Sequence, residues 1–311
     1  MKQSKVILPI IVISQFCCTS LWFAGNGVMG DLIVNFHLKD SALGHLTSAV
    51  QFGFILGTLI FAIFTIADRF SPSKVFLTCA LLGSLFNAGV IWEGNSLASI
   101  TSLRFITGFF LAGIYPVGMK IAADYYEKGL GKSLGFLVGA LVVGTAFPHL
   151  AKEMTSAFPW KSVLILTSSL AVIGGLLMFI MVSDGPYRKS GNKLDKSAFL
   201  GVFKNHEFRS AAFGYFGHMW ELYAFWAFVP IILKTYSMGH PEATFNIPLL
   251  SFLIIGIGGL ACVLAGYLAQ ILGTKRIAFI ILLLSCCCCL ISPLMFMTES
   301  ESLFIGFLFL W

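Results

Sequence analysis

The chain has 311 residues, of which 58% are hydrophobic and only 11% charged, with a mean hydropathy of +0.90. Soluble domains carry about 25% charged residues, so this composition excludes a water-soluble globular protein. The formal net charge of +6 forms no nucleic-acid patch, because Lys and Arg are spread over alternate connections between apolar runs.

Apolar runs near 20 residues span a bilayer as helices. The first, Val6–Met29, is too long for a signal-peptide core, has no small-residue cleavage site after it, and is read as retained. Its polar residues Gln15, Thr19, Trp22 and Asn26 recur at helical spacing and predict one face. The second run, Leu46–Ala67, carries a similar stripe of Thr47, Gln51 and Thr58. The third is Val75–Trp92. The fourth, Leu97–Met119, holds Arg104, the one firm cation inside a complete span, in a stripe with Thr101, Thr107, Gly108 and Tyr115. The fifth, Ser133–Leu150, brings Gly135 and Gly139, and the sixth is Val163–Met181.

Ser183–Ser210 is the one long polar connection, read as a linker with a surface helix near Lys196–Phe203. The seventh run, Ala211–Leu233, holds the one intramembrane acid, Glu221, near its middle. His218 precedes it by three residues and shares its face. The eighth, Ile247–Leu272, is rich in glycine (Gly256, Gly258, Gly259, Gly266), and the ninth is Ile277–Met297. Small residues let helices approach closely. A tenth run, Leu303–Trp311, is too short to cross, which predicts a fragment, a truncated gene or a partial chain.

Placing the N-terminus in the cytoplasm leaves only Lys39, Lys152, Lys161 and Lys234 outside, against fifteen cations inside, in keeping with the positive-inside rule. All eight cysteines fall inside spans. Consecutive helix residues point about 100° apart, so Cys286–Cys289 cannot converge on one metal ion and are read as wall residues. Gly129-Leu-Gly131-Lys132-Ser133 has Tyr126 where a phosphate loop needs glycine, and no protease or hydrolase motif is present. No cofactor is expected.

The turn after the second run, Ala67-Asp68-Arg69 with Lys74, recurs after the eighth as Gly266-Tyr-Leu-Ala269-Gln270 with Gly273 and Lys275. Asp68 and Gln270 stand 202 residues apart, so the chain reads as a duplicated bundle, an architecture of secondary transporters. This turn, its repeat and Arg104-Phe-Ile-Thr-Gly108 resemble the major facilitator superfamily. Leu21-Trp22-Phe-Ala-Gly-Asn26 and Gly217-His218-Met-Trp220-Glu221 are similar to bacterial members grouped loosely with nitrate/nitrite and cyanate permeases.

The resemblance implies an all-α polytopic fold of two six-helix bundles, with nine complete spans and a truncated tenth visible of an expected twelve. The bundles would be residues 1–182 and 211–311, joined by a cytoplasmic linker at 183–210. It implies a monomer in the bacterial inner membrane that moves a small solute by alternating access, and no enzyme. Arg104 makes a small anion the leading solute, and Glu221 with His218 makes proton symport the leading coupling. Trp22, Asn26, Gln51 and Tyr115 are expected to line the cavity. A plainer reading makes these residues polar glue between helices, Glu221 and Arg104 an ion pair between the halves, and His218 a satisfied bundle histidine. Asp68, Arg69 and Asp124 are expected to form a gating network, near Glu127 and Lys128. The absence of Gly-Pro-x-x-Gly-Gly on the fifth span counts against drug efflux, and the absence of Arg on the second and eighth against nitrate. A proton-driven efflux pump and a non-transporting fragment or membrane sensor stand as alternatives.

Overall fold

The computed structural model describes residues 6–126, 130–188 and 201–311, and every regular element among them is helical. In lipid no water pairs the backbone, so apolar segments must satisfy their own N–H and C=O groups as helices. The chain runs α1 (Ile7–Thr19), α2 (Ala24–Gly27), α3 (Met29–Asn35), α4 (Ala42–Ile63), α5 (Ile66–Arg69), α6 (Pro72–Gly89), α7 (Leu97–Leu111), α8 (Tyr115–Tyr125), α9 (Leu130–Met154) and α10 (Lys161–Met181). It continues with a short 3-10 turn (Val202–Lys204), α11 (His206–Gly239), α12 (Ile247–Leu272), α13 (Thr274–Met295) and α14 (Glu301–Leu310).

Seven of these segments are long and apolar enough to cross a membrane: α4, α7 with α8, and α9 to α13. Two of the nine predicted spans differ. Lys74 and Asn87 dilute the apolar content of α6, and the first run is not one helix. Its ladder breaks at Ser20–Phe23, where Trp22 N–H reaches back only to Thr19 O at 3.0 Å. Two hydroxyls back-bond just before the break, Thr19 Oγ1 to Gln15 O at 2.8 Å and Ser20 Oγ to Cys17 O at 2.7 Å. Such back-bonding loosens and bends helices. A second break, between α7 and α8, precedes Pro116, which has no N–H to continue the ladder.

The boundary before α11 also differs from the linker reading. The helix starts at His206, because Asn205 Oδ1 accepts from the N–H groups of Glu207 and Phe208 at 2.9 and 3.1 Å. Glu207 in the first turn complements the helix dipole. The surface helix expected near Lys196–Phe203 lies mostly outside the described residues, as do Glu127 and Lys128.

Packing follows the small residues. α4 and α7 touch backbone to backbone at Gly53, Gly57 and Gly108. α1 lies against α9 and α10, and α6 lies against α10 and α7. α12 packs antiparallel on α9: a Cβ placed on Gly139 would stand 2.8 Å from Gly259 O, and one on Gly259 would stand 3.0 Å from Gly139 O. The same register brings Asn246 Nδ2 to Glu153 Oε1 at 2.8 Å at the far end of the pair. α9–α12 is the main seam between the helices before residue 188 and those after 201.

Candidate functional site

Arg104 is fully buried on α7, and its guanidinium is directed at the broken first run. The tight turn there presents the carbonyls of Leu21 and Trp22 to the guanidinium, and Nη2 donates to both, to Leu21 O at 3.1 Å, which also accepts from Ala24 N–H at 3.5 Å, and more closely to Trp22 O. Gly25 makes room, since a Cβ there would lie 3.3 Å from Arg104 Nε. Nη1 donates to Asn87 Oδ1 at 2.9 Å. Asn87, also fully buried, donates in turn to Ser168 Oγ at 2.9 Å and Thr167 Oγ1 at 3.2 Å. A buried cation without hydrogen bonds is strongly disfavoured, and these acceptors compensate it without a carboxylate. The ion pair between Arg104 and Glu221 that sequence allowed is not formed.

The polar stripe of the first run is divided by the break. Gln15 faces Gly118 of α8, Thr19 faces Gly144 of α9, and Asn26 Nδ2 donates to Thr47 Oγ1 on α4 at 2.9 Å. Trp22 turns to α11. It stacks on Tyr223 with ring centroids 5.6 Å apart and planes inclined by 20°, and it lies 4.7 Å from Phe54 of α4. Trp226 meets Tyr223 edge to face at 5.5 Å, and Phe23 meets Trp226 at 6.3 Å. Tyr115, at the start of α8, packs partly buried against the same core cluster as Trp22 and Tyr223. Gln51 sits three residues before Phe54 on α4, and its Nε2 has no hydrogen-bond partner among the described residues; neither has Trp22 Nε1. A groove of about 970 Å³ between α4 and α7, lined by His45, Phe52, Thr101 and Phe105, includes none of these rings.

Glu221 and His218 are brought together, as their spacing predicts. His218 Nδ1 lies 3.4 Å from Glu221 Oε2, within ion-pair reach but without hydrogen-bond geometry. Trp311 Nε1 donates to Glu221 Oε1 at 2.7 Å, and Phe225, one turn on, stacks on Trp311 at 4.6 Å. Ser285 of α13 lies near the carboxylate. The acid is therefore held among α11, α13 and α14, and partly exposed.

At the basic turn, Lys120 sits between Asp68 and Asp124, at 3.1 and 3.3 Å. Asp68 and Asp124 are thus joined through a lysine that sequence reading did not single out. Arg69 is exposed and makes no ion pair among the described residues. Arg188 reaches the turn from the other side: Nη2 donates to Phe70 O at 2.9 Å, and Nη1 pairs with Asp184. The segment before residue 188 binds the turn further through Ser73 Oγ to Val182 O at 2.6 Å, Ser71 Oγ to Asp184 Oδ1 at 2.7 Å and Tyr187 N–H to Asp124 O at 3.0 Å. A cavity of about 170 Å³ lies alongside, lined by Thr58, Thr65, Asp68 and Lys120.

Sequence reading also passed over His149 and Ser251. Both are buried, and His149 Nε2 and Ser251 Oγ have no hydrogen-bond partner among the described residues. The register that pairs Gly139 with Gly259 and Glu153 with Asn246 brings them level across the α9–α12 seam. A juxtaposition across two helices of this kind leaves no one-dimensional signature.

The family model for the Major Facilitator Superfamily matches residues 11–311. The Bicyclomycin resistance protein homolog of Haemophilus influenzae is 25% identical over 146 residues, covering 45% of this chain and 35% of that relative. The Putative transporter AraJ of Escherichia coli K12 is 22% identical over 200 residues, covering 64% of this chain and 50% of that relative. The matches thus span a third to a half of these relatives' length. Among solved structures, a bacterial homolog of the human lysosomal transporter Spinster, inward-facing and unoccupied, is similar with a TM-score of 0.68 and 17% identity. That likeness covers 99% of this chain and 72% of the other, and at this identity it shows the fold.

Proposed function

Because the chain belongs to the Major Facilitator Superfamily, we propose that it is part of a secondary transporter that moves a small solute across a membrane by alternating access. The chain is integral to the membrane. In our reading its N-terminus is cytoplasmic, it functions as a monomer in a bacterial inner membrane, and it contributes nine complete spans.

The observation that carries this reading is the double engagement of α11. One face presents Tyr223 to Trp22 at 5.6 Å, and the other presents Glu221 to Trp311 at 2.7 Å. A helix gripped on both sides transmits a change at either one to the other. Glu221 and His218 are the proposed proton carriers: an intramembrane carboxylate beside an imidazole can take up and release a proton as its surroundings open and close. Arg104 supports the site from behind by fixing the broken first run. Three of its five N–H donors go to Asn87, Leu21 and Trp22, and its full burial withdraws it from direct contact with a solute in this conformation. The Asp68–Lys120–Asp124 chain is the proposed gate at the basic end.

Proton movement tests the reading. Proteoliposomes holding the protein and a pH-sensitive dye are offered a panel of metabolites from outside. Acidification with one solute, absent in Glu221→Gln, supports proton symport; equal acidification in Glu221→Gln overturns the assigned carrier. Alkalinisation of the lumen, set acidic beforehand, would favour efflux instead, a reading supported by the relative named for bicyclomycin resistance.

A further inference from the structure

We propose that the Trp22–Tyr223 stack is the closed form of the solute site, and that the solute is an uncharged molecule with a planar ring bearing a hydrogen-bond acceptor. The proposal rests on the transporter reading and names the class of solute for it.

Three observations point to this class. First, the contact between the first run and α11 is made by ring faces. Trp22 stacks on Tyr223 with planes inclined by 20° and leans on Phe54 at 4.7 Å, while Trp226 closes the edge at 5.5 Å from Tyr223. Second, two N–H donors beside these rings are orphaned. Trp22 is 1% exposed and its Nε1 finds no acceptor among the described residues; Gln51 Nε2, on the same face of α4 as Phe54, finds none among them either. Buried polar groups in native proteins are nearly always paired, so donors left open here mark a place where an acceptor arrives in another state. Third, the patch is uncharged. Arg104 approaches Trp22 only from its carbonyl side, and Glu221 lies on the opposite face of α11 with Trp311. A charged solute would meet no counter-charge, and an aliphatic one would leave the π faces unused.

The site then opens by exchange. When α11 draws back, the solute ring takes the place of the Tyr223 ring on Trp22, and its acceptor receives Trp22 Nε1–H and Gln51 Nε2–H. One ring pair replaces another, so neither state is strongly favoured by stacking. A carrier that must release its cargo on the far side has that requirement.

The test is thermal unfolding of the full chain in detergent with benzamide, cyclohexanecarboxamide and benzoate, which are matched in size, and acetate as a small anion. A ligand that binds the folded form raises Tm according to RT ln(1 + [L]/Kd). Benzamide is expected to raise Tm, with cyclohexanecarboxamide, benzoate and acetate giving no shift. In Trp22→Phe, which keeps a ring and removes the N–H, benzamide affinity should fall about tenfold, the worth of one hydrogen bond. In Trp22→Ala the shift should vanish; if that variant fails to fold, Trp22→Phe decides. Equal shifts by benzamide and cyclohexanecarboxamide, shifts by acetate or benzoate alone, or no shift with benzamide would each overturn the solute class. Failure of the transporter reading would look different: benzamide would stabilise the protein as expected, yet proteoliposomes would not move radiolabelled benzamide across the membrane.

Discussion

Glu221 and Tyr223 stand two residues apart on α11 and engage opposite partners: Glu221 Oε1 accepts from Trp311 Nε1 at 2.7 Å, and Tyr223 stacks on Trp22 at 5.6 Å. Two positions along a helix are about 200° apart, so one helix separates the acid from the aromatic patch. Their coupling therefore passes through the position of α11 and not through a shared cavity wall. Glu221→Gln should abolish proton-driven accumulation while solute exchange down its gradient continues. Parallel measurement of accumulation and exchange in proteoliposomes checks this, and loss of both would place Glu221 in the solute site instead.

Asn87 joins Arg104 to Ser168 and Thr167. Asn87→Leu should destabilise the protein by about 1–3 kcal/mol, because it leaves one guanidinium N–H and two hydroxyls short of partners in a buried place. Asn87→Asp keeps the acceptor for Arg104 and should retain more of the stability. Thermal unfolding of the two variants side by side gives the answer; equal losses would mean that Arg104 does not depend on this acceptor.

The α9–α12 seam predicts a contrast among glycines. Gly139→Ala places a Cβ 2.8 Å from Gly259 O, which requires the backbones to separate. Gly256→Ala meets only Phe252, at 3.9 Å. The first should lower Tm by several degrees and the second should leave it near wild type, since overpacking of a close contact costs about 1–3 kcal/mol. Similar melting temperatures for both would mean that the seam is looser than its geometry implies.

Lys120 bridges Asp68 and Asp124 at the basic turn; Asp124 is buried, and the Lys120–Asp68 pair is partly exposed. Pairs of this exposure contribute less than about 1 kcal/mol, so Asp68→Asn should change stability little. Its expected effect is on access: a cysteine introduced at Thr58, beside the neighbouring cavity, should react faster with a water-soluble maleimide than in the parent. Unchanged labelling together with unchanged transport would reduce the turn to a solvated connection.

The fold class was legible in the composition, because a chain this poor in charge has helices as its means of satisfying backbone groups in lipid. Boundaries fixed by local chemistry were legible as well. Ile247–Leu272 matches its predicted run at both ends, with Asn246 capping one and Gly273 ending the other at a positive φ of 86°. The pairing of His218 with Glu221 followed from helical spacing. What the tertiary structure decided lay where a helix departs from regularity or where a partner comes from far along the chain. The break at Ser20–Phe23 dispersed a stripe that a continuous helix would have kept on one face. Two carbonyls at the break hold Arg104, which makes no pair with Glu221, and Asn87, unremarkable in sequence, fixes the other side of that guanidinium. Periodicity reports the direction a side chain takes from its own helix; it carries no information about which distant helix, 17 or 201 residues away for Arg104–Asn87 and Trp22–Tyr223, arrives to meet it.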